Sequence, residues 1–211
     1  MNTTADAMQG PERKRCPSDD LAQMAARIFA QGRVKSVAQA IDLACHQNAG
    51  QIHDRPTQGA VRRHLQGLAL SALGASGYAA RTLGVLSLAE EIMILFRDDS
   101  PMLTGRAARG LFDGEVRLHM RIYTNEQVSA IAKRIESERS VHDLVIDTLN
   151  TRYGRLNRIV WDEAGVDIVL VRCLRSMKTD AHLHLLRHER VPSCTLTQLQ
   201  SRIAELSLAL E

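Results

Sequence analysis

The chain has 211 residues, of which 45% are hydrophobic and 24% charged, so its composition predicts a folded globular protein and excludes a disordered or fibrous one. A net charge of +3 excludes the strongly basic surface of a nonspecific DNA-binding protein, and one Trp, three Tyr and three Phe are too few for a base-stacking platform. No apolar run approaches the roughly 20 residues of a membrane span, and the first 16 residues lack the apolar stretch of a signal peptide, so we expect a cytoplasmic protein without a membrane partner.

The N-terminal part of the sequence predicts an all-helical domain over residues 18–98. Residues 1–17 are polar and contain two prolines, so we expect a disordered tail. After residue 17, apolar residues recur at helical spacing between capping residues and glycines. The predicted helices run from Ser18 to Gly32, from Ser36 to about Asn48, from Pro56 to a break at Gly74–Gly77, and from about Tyr78 to Phe96.

An α+β domain is predicted over residues 101–211, because the apolar period changes from 3.6 to 2 after Pro101. In the strand Val116–Tyr123, Leu118, Met120 and Ile122 face a core and the residues between them face away. The fold class predicted is α+β, with a small mixed β-sheet and helices on one face of it. The other predicted elements are a helix over Asn125–Glu138, a strand over His142–Ile146, a hairpin of Arg158–Trp161 with Val166–Val171, and helices over Asp180–His188 and Thr197–Leu210.

Three short motifs within residues 101–172 follow one another in a distinctive order. They are Met102–Gly110 with its Gly-Arg-Ala-Ala-Arg-Gly turn, Gly114–His119, and Gly165–Leu170. This order resembles that of polymerase-beta-type nucleotidyltransferases, as seen in the minimal members of that family. There, a short strand ends in a Gly-Ser or Gly-Gly turn, the next strand carries Asp-apolar-Asp, and a later strand carries a third carboxylate.

The resemblance implies a site for nucleotidyl transfer. In the family, backbone N–H groups of the glycine turn bind nucleotide phosphates, and the three carboxylates hold two divalent metals for in-line attack. In this sequence the turn falls on Gly105 and Arg106, the alternating pair on Glu115 and Arg117, and the third carboxylate on Asp167. If activity persists, Glu115 and Asp167 would ligate Mg²⁺. The nucleotide-binding residues implied are Gly105, Arg106, Arg109 and Arg117.

Two of these positions depart from the family pattern. Arg106 replaces the Ser or Gly of the turn, and Arg117 replaces the central metal-bridging acid. A guanidinium at that centre would repel both cations. We therefore interpret the domain as a nucleotidyltransferase-like protein with an eroded metal site, which binds a nucleotide, a nucleic-acid phosphate or a protein partner instead of catalysing. Arg121, Arg155 or Arg172 would add to such a pocket. Alternatively, Arg117 and Asp167 pair across neighbouring strands on a solvated sheet face.

A zinc site is the weaker of the other candidates. His184 and His188 are one helical turn apart in the predicted helix, which is the spacing of many zinc pairs. No third ligand follows at a recognised spacing, and Cys173 and Cys194 are remote in sequence, so we expect no metal site there.

A DNA-binding transcriptional regulator is the alternative function. Residues 36–65 can be interpreted as a helix-turn-helix that presents Arg62, Arg63 and His64 to DNA. However, the connection over residues 46–55 is longer than the turn of that motif, and Val61 and Leu65 indicate a stripe that faces a core. A plain helical bundle is favoured, and its Ala-rich faces would also serve homodimer formation.

Overall fold

The computed structural model describes residues 17–48, 54–113, 117–187 and 189–210. It divides into two compact units, Met1–Gly67 and Leu68–Glu211. Only Pro17 of the predicted disordered tail belongs to the described residues. None of the helices in the described ranges is long and apolar enough to cross a membrane.

The first unit is helical, as the sequence predicts. It contains α1 (Pro17–Ala30), α2 (Val37–Gln47) and the start of α3 (Gln58–Leu95). Ser36 caps α2, because its side chain accepts a hydrogen bond from the backbone N–H of Gln39 at 3.2 Å. Small residues dominate the core of this unit, so the helices approach closely. The most buried members are Ala22, Ala25, Ala26, Ala40, Ala44 and Val61.

Helix α3 is interrupted at Gly74, where the backbone is not helical (φ 69°, ψ 171°). Glycine adopts this positive φ without the steric cost that a Cβ brings. The break confirms the two helices predicted on either side of it. The boundary between the compact units, however, falls at Gly67–Leu68, whereas the sequence indicates a boundary at residues 98–101. The second part of α3 belongs with the sheet because its Leu86, Ile92 and Met93 pack in the core of the sheet.

The second unit is built on a six-stranded mixed sheet with the order β3-β4-β5-β2-β1-β6. Strands β2 and β5 are parallel and all other neighbours are antiparallel. Together with the helices, this sheet confirms the α+β class. The strands are β1 (Met102–Thr104), β2 (Arg117–Tyr123), β3 (Val145–Thr151), β4 (Gly154–Glu163), β5 (Val166–Cys173) and β6 (Ser193–Thr195), and the remaining helices are α4 (Val128–Arg139) and α5 (Leu196–Leu208).

One face of the sheet, here called the helix face, packs against the second part of α3 and against α4 and α5. Leu118, Met120 and Ile122 of β2 lie there and are at most 1% exposed, which confirms the alternation expected for this strand. The predicted β4–β5 hairpin is also confirmed, and it turns through Ala164 and Gly165, both at positive φ.

The opposite face of the sheet, here called the arginine face, carries the alternate residues of the same strands. A segment over residues 174–191 packs on this face, and its Met177 joins Tyr123 and Val171 in a second apolar cluster. The predicted helix over Asp180–His188 is wrong. This segment has a 3₁₀ helix over Arg175–Asp180 and then irregular chain that is closed by a bridge between Leu183 and Arg190. Contacts with the sheet override the local helical spacing.

Candidate functional site

The parallel pairing of β2 and β5 brings Arg117 and Asp167 together. They are register partners, and the guanidinium of Arg117 donates to Oδ2 of Asp167 from Nη2 at 2.6 Å and from Nε at 3.2 Å. The two side chains are 45% and 47% exposed. The structure thus has an ion pair at the open end of the arginine face, where the resemblance implies two metal-ligating acids. Glu115 lies outside the described residues.

The glycine turn follows β1, as the resemblance implies. Gly105 has a φ of 81°, and its N–H donates to the carbonyl of Pro192 at 2.8 Å. The N–H groups of Arg109 and Gly110 donate to carbonyls of the same turn, both at 2.8 Å. These three amides therefore already have acceptors and do not form a ready cradle for phosphate. A phosphate would reach these three amides only by displacing the carbonyls that they now bind.

Two arginines of the turn differ in their surroundings. Nε of Arg106 lies 3.2 Å from Oδ2 of Asp113, whose side chain is 6% exposed, so the charge of Arg106 is compensated by a buried acid. Arg109 is exposed at the end of a 3₁₀ turn over Ala107–Arg109. Arg109 is therefore better placed than Arg106 to reach an anion in solution.

The three further arginines expected near this site are placed differently from one another. Arg121 lies on the arginine face, four residues along β2 from Arg117 and so about 13 Å from it. Arg172 lies on the helix face, because it is the register partner of Ile122. Its Nε donates to the carbonyl of Glu126 at 2.6 Å. Arg155 lies beside the β3–β4 turn, at the other end of β4 from the partner of Asp167. Neither Arg155 nor Arg172 contributes to the Arg117 end.

The residues present do not fit a pair of magnesium ions. No group of three or more His, Cys, Asp or Glu suited to a metal occurs in the part of the chain that the structure describes. A metal bound by Asp167 would have to displace Arg117 or tolerate its charge. Repulsion between a unit charge and a divalent ion about 4 Å apart is on the order of several kcal/mol even at moderate dielectric.

The histidine and cysteine residues considered as zinc ligands do not form a metal site within the described part of the chain. His188 lies outside the described residues, and Nδ1 of His184 accepts a hydrogen bond from the N–H of Leu186 at 3.1 Å. Cys173 and Cys194 are buried in different clusters, on the arginine face and the helix face respectively. Burial raises the pKa of Cys173 to about 11, so its thiol stays protonated and unreactive near neutral pH.

The helices considered for DNA binding pack as a plain bundle. Val61 and Leu65 are buried in the core of the first unit, and Nε2 of His64 lies 2.9 Å from Oδ1 of Asp19. Helix α2 ends at Gln47 and α3 begins at Gln58, which leaves a connection longer than a helix-turn-helix turn. DNA recognition by Arg62 and Arg63 stays a prediction.

Comparisons of the chain with family models, with curated proteins and with solved structures returned no significant match. What the structure defines is an α+β protein whose sheet carries arginines on one face.

Sequence reasoning placed Arg121 only as a neighbour of Arg117. In the structure Arg121 is 5% exposed, and its Nη1 donates to the carbonyls of Ala181 and Leu183 at 3.2 and 2.8 Å. The only sequence feature that pointed to Arg121 was its position within a strand of alternating apolar residues. Its burial depends on the segment over residues 174–191, whose path has no periodic signal in the sequence.

Proposed function

We propose that this chain is a nucleotidyltransferase-like protein that binds a nucleotide at the Arg117 end of the arginine face without transferring its nucleotidyl group. The observation that supports this is the ion pair of Arg117 with Asp167, which stands where the family has metal-ligating acids. In the family, magnesium ions supply the positive charge that binds the phosphates. In this chain the guanidinium of Arg117 supplies it.

The physical argument concerns what neutralises a phosphate. A pair of magnesium ions is held by several carboxylate oxygens together with the substrate phosphates, whereas arginine binds phosphate directly through two parallel N–H donors. Arg117 is nearly half exposed, and Arg109 is exposed on the turn that follows β1. Both side chains reach solvent, so both are available to an incoming phosphate. Binding to Arg117 weakens its contact with Asp167, which is a solvated pair of low cost to rearrange.

Isothermal titration calorimetry with ATP tests the proposal. We expect ATP to bind in excess EDTA at least as tightly as in excess Mg²⁺, because Mg²⁺ neutralises part of the phosphate charge that the arginines bind. We also expect no pyrophosphate release over long incubation. Binding that requires Mg²⁺, or turnover of ATP, would contradict the proposed function.

A charge-reversing variant tests the role of the ion pair. Arg117→Asp restores an acid at the central position of the motif, so we expect it to gain Mg²⁺ binding and to lose ATP binding in EDTA by at least tenfold. Arg155→Asp is the matched control, because it makes the same charge change on the same sheet beside the β3–β4 turn. The control should bind ATP as the wild type does.

A further inference from the structure

A cavity of about 290 Å³ lies on the arginine face, between the sheet and the segment over residues 181–191. Val169, Val171 and Leu185 give it an apolar floor and wall. The polar side chains that line it come from three strands and from the covering segment. They are Thr104, His119, Arg121, Arg158 and His184. Arg117 and Asp167 do not line it, so it is distinct from the site proposed above.

Arg121 is the unusual member of this cavity. Its side chain is buried, and no carboxylate in the described ranges forms an ion pair with it. Arginine stays protonated in proteins, so burial cannot be relieved by loss of the charge. Buried charges are normally paired, and carbonyl oxygens compensate a guanidinium only in part. Both carbonyls accept from Nη1, and the hydroxyl of Tyr123 also lies against the guanidinium of Arg121, whose side chain lines the cavity. The guanidinium has five N–H donors in all, so it can also donate to an acceptor in the cavity.

The other lining groups suit an anion as well. Arg158 lies on β4 and is held in place by Asp147, which accepts from its Nε at 2.7 Å and also from its Nη2. His184 accepts at Nδ1 from the N–H of Leu186, so the proton of the neutral ring is on Nε2, which is a donor. The cavity therefore combines one buried cation, one partly compensated cation and a histidine donor over an apolar floor.

We propose that this cavity binds a small phosphomonoester, with its phosphate on Arg121 and its organic part against Val169 and Val171. The volume lies just below the roughly 300–1,000 Å³ of ordinary ligand pockets, which favours a small ester over a nucleoside triphosphate. The planar fork of arginine matches two phosphate oxygens, and the apolar floor offers contact to a carbon skeleton that a free phosphate lacks.

Titration of the full chain with ribose 5-phosphate at constant ionic strength tests this site, with thermal unfolding and calorimetry as readouts. We expect a saturable rise in Tm and one bound molecule per chain. Inorganic phosphate should bind at least tenfold more weakly, because it makes no contact with the apolar floor. Equal affinity for the two ligands, or no binding of ribose 5-phosphate, would overturn the proposal.

Two variants test the site by different routes. Arg121→Met removes the charge and should weaken binding of ribose 5-phosphate by at least tenfold, whereas Arg155→Met should leave it unchanged. Val171→Phe fills the cavity while keeping Arg121, so it should also abolish binding even if Arg121→Met fails to fold. Unaltered affinity in Val171→Phe, confirmed as folded by circular dichroism, would overturn the assignment.

One further variant separates this inference from the proposed function. Arg117→Ala should leave the affinity for ribose 5-phosphate unchanged while it weakens binding of ATP. If ribose 5-phosphate binding fell by tenfold in Arg117→Ala, the two sites would be one and the inference would be wrong. If ATP failed to bind while ribose 5-phosphate bound through Arg121, the proposed function alone would fail.

Discussion

The two faces of the sheet are made by the same strands, yet they differ in what covers them and in what they carry. The helix face presents Leu118, Met120 and Ile122 to three helices, and these three side chains are at most 1% exposed. The arginine face presents Arg117 and Arg121 from the same strand, one at the open end and one under irregular chain. Because side chains alternate along a strand, the apolar residues that stabilise the fold lie on the helix face, and the charged residues that can bind a ligand lie on the arginine face.

The comparison also shows how an arginine can be tolerated inside this fold. Helices have no free carbonyls in their interiors, so a helix over the arginine face would leave Arg121 without acceptors. The irregular segment supplies the carbonyls of Ala181 and Leu183 instead. The covering segment and Arg121 therefore depend on each other.

The largest effect is expected from a cavity in the helix face. Leu118→Ala removes a side chain that is 0% exposed and should lower the free energy of unfolding by about 2–5 kcal/mol. His119→Ala changes the next residue, which is exposed on the other face, and should cost less than about 1 kcal/mol. Urea unfolding measures both. Equal costs would contradict the division between the two faces.

A half-buried ion pair at the edge of the helix face should give the next largest effect. Arg139 at the end of α4 contacts Glu163 of β4 and lies 2.8 Å from Glu91 of α3, so it joins three elements. Arg139→Met leaves Glu163 without its cation, and we expect a loss of about 1–3 kcal/mol in urea unfolding.

The control for Arg139 is an exposed pair. Arg187 and Glu189 are 3.9 Å apart and 71% exposed, so Arg187→Met should change the free energy of unfolding by less than about 0.5 kcal/mol. A larger loss in the control than in Arg139→Met would show that burial does not set the strength of these pairs.

The arginine face should show a pH dependence that the helix face lacks. Burial lowers the pKa of His184, and Arg121 and Arg187 lower it further against the opposing effect of Glu189. A histidine with a lowered folded pKa binds protons more readily when unfolded, so stability falls as the pH drops from about 6.5 through the folded pKa. Urea unfolding between pH 5 and 7.5 should therefore show a slope that His184→Gln reduces. An unchanged slope would contradict this account of the histidine.

The smallest effect is expected for the ion pair at the open end. A double-mutant cycle with Arg117→Ala and Asp167→Ala should give a coupling energy below about 1 kcal/mol, because both side chains are nearly half exposed. A coupling of several kcal/mol would mean that the pair serves stability, and it would remove the argument that Arg117 exchanges Asp167 for a phosphate at low cost.

Much of the fold follows from local patterns in the sequence. The cap at Ser36, the break at Gly74 and the alternation of Leu118, Met120 and Ile122 are local signals, and all three are confirmed. Strand β6 has three residues, too few for a periodic signal, and was not predicted. The helix predicted over Asp180–His188 is wrong, because the path of this segment depends on contacts with the sheet that are remote in sequence.

The candidate site was predictable only in part. The motif order predicts that Arg117 and Asp167 lie on neighbouring strands, but only the register of β2 with β5 places them at hydrogen-bonding distance. The cavity at Arg121 needs Arg158 from β4 and His184 from the covering segment. No spacing in the sequence connects those residues, because β-sheet register and irregular chain are fixed by tertiary packing.

Manganese binding, followed by electron paramagnetic resonance, tests most directly whether Arg117 has replaced the metal. Mn²⁺ stands in for Mg²⁺ and is titrated into the wild-type chain in the absence of ATP, so that no metal reaches the protein on a nucleotide. We expect no stoichiometric site on the protein, because the guanidinium of Arg117 binds Oδ2 of Asp167 and repels the cation. A single tight Mn²⁺ site that Asp167→Asn abolishes would contradict the account.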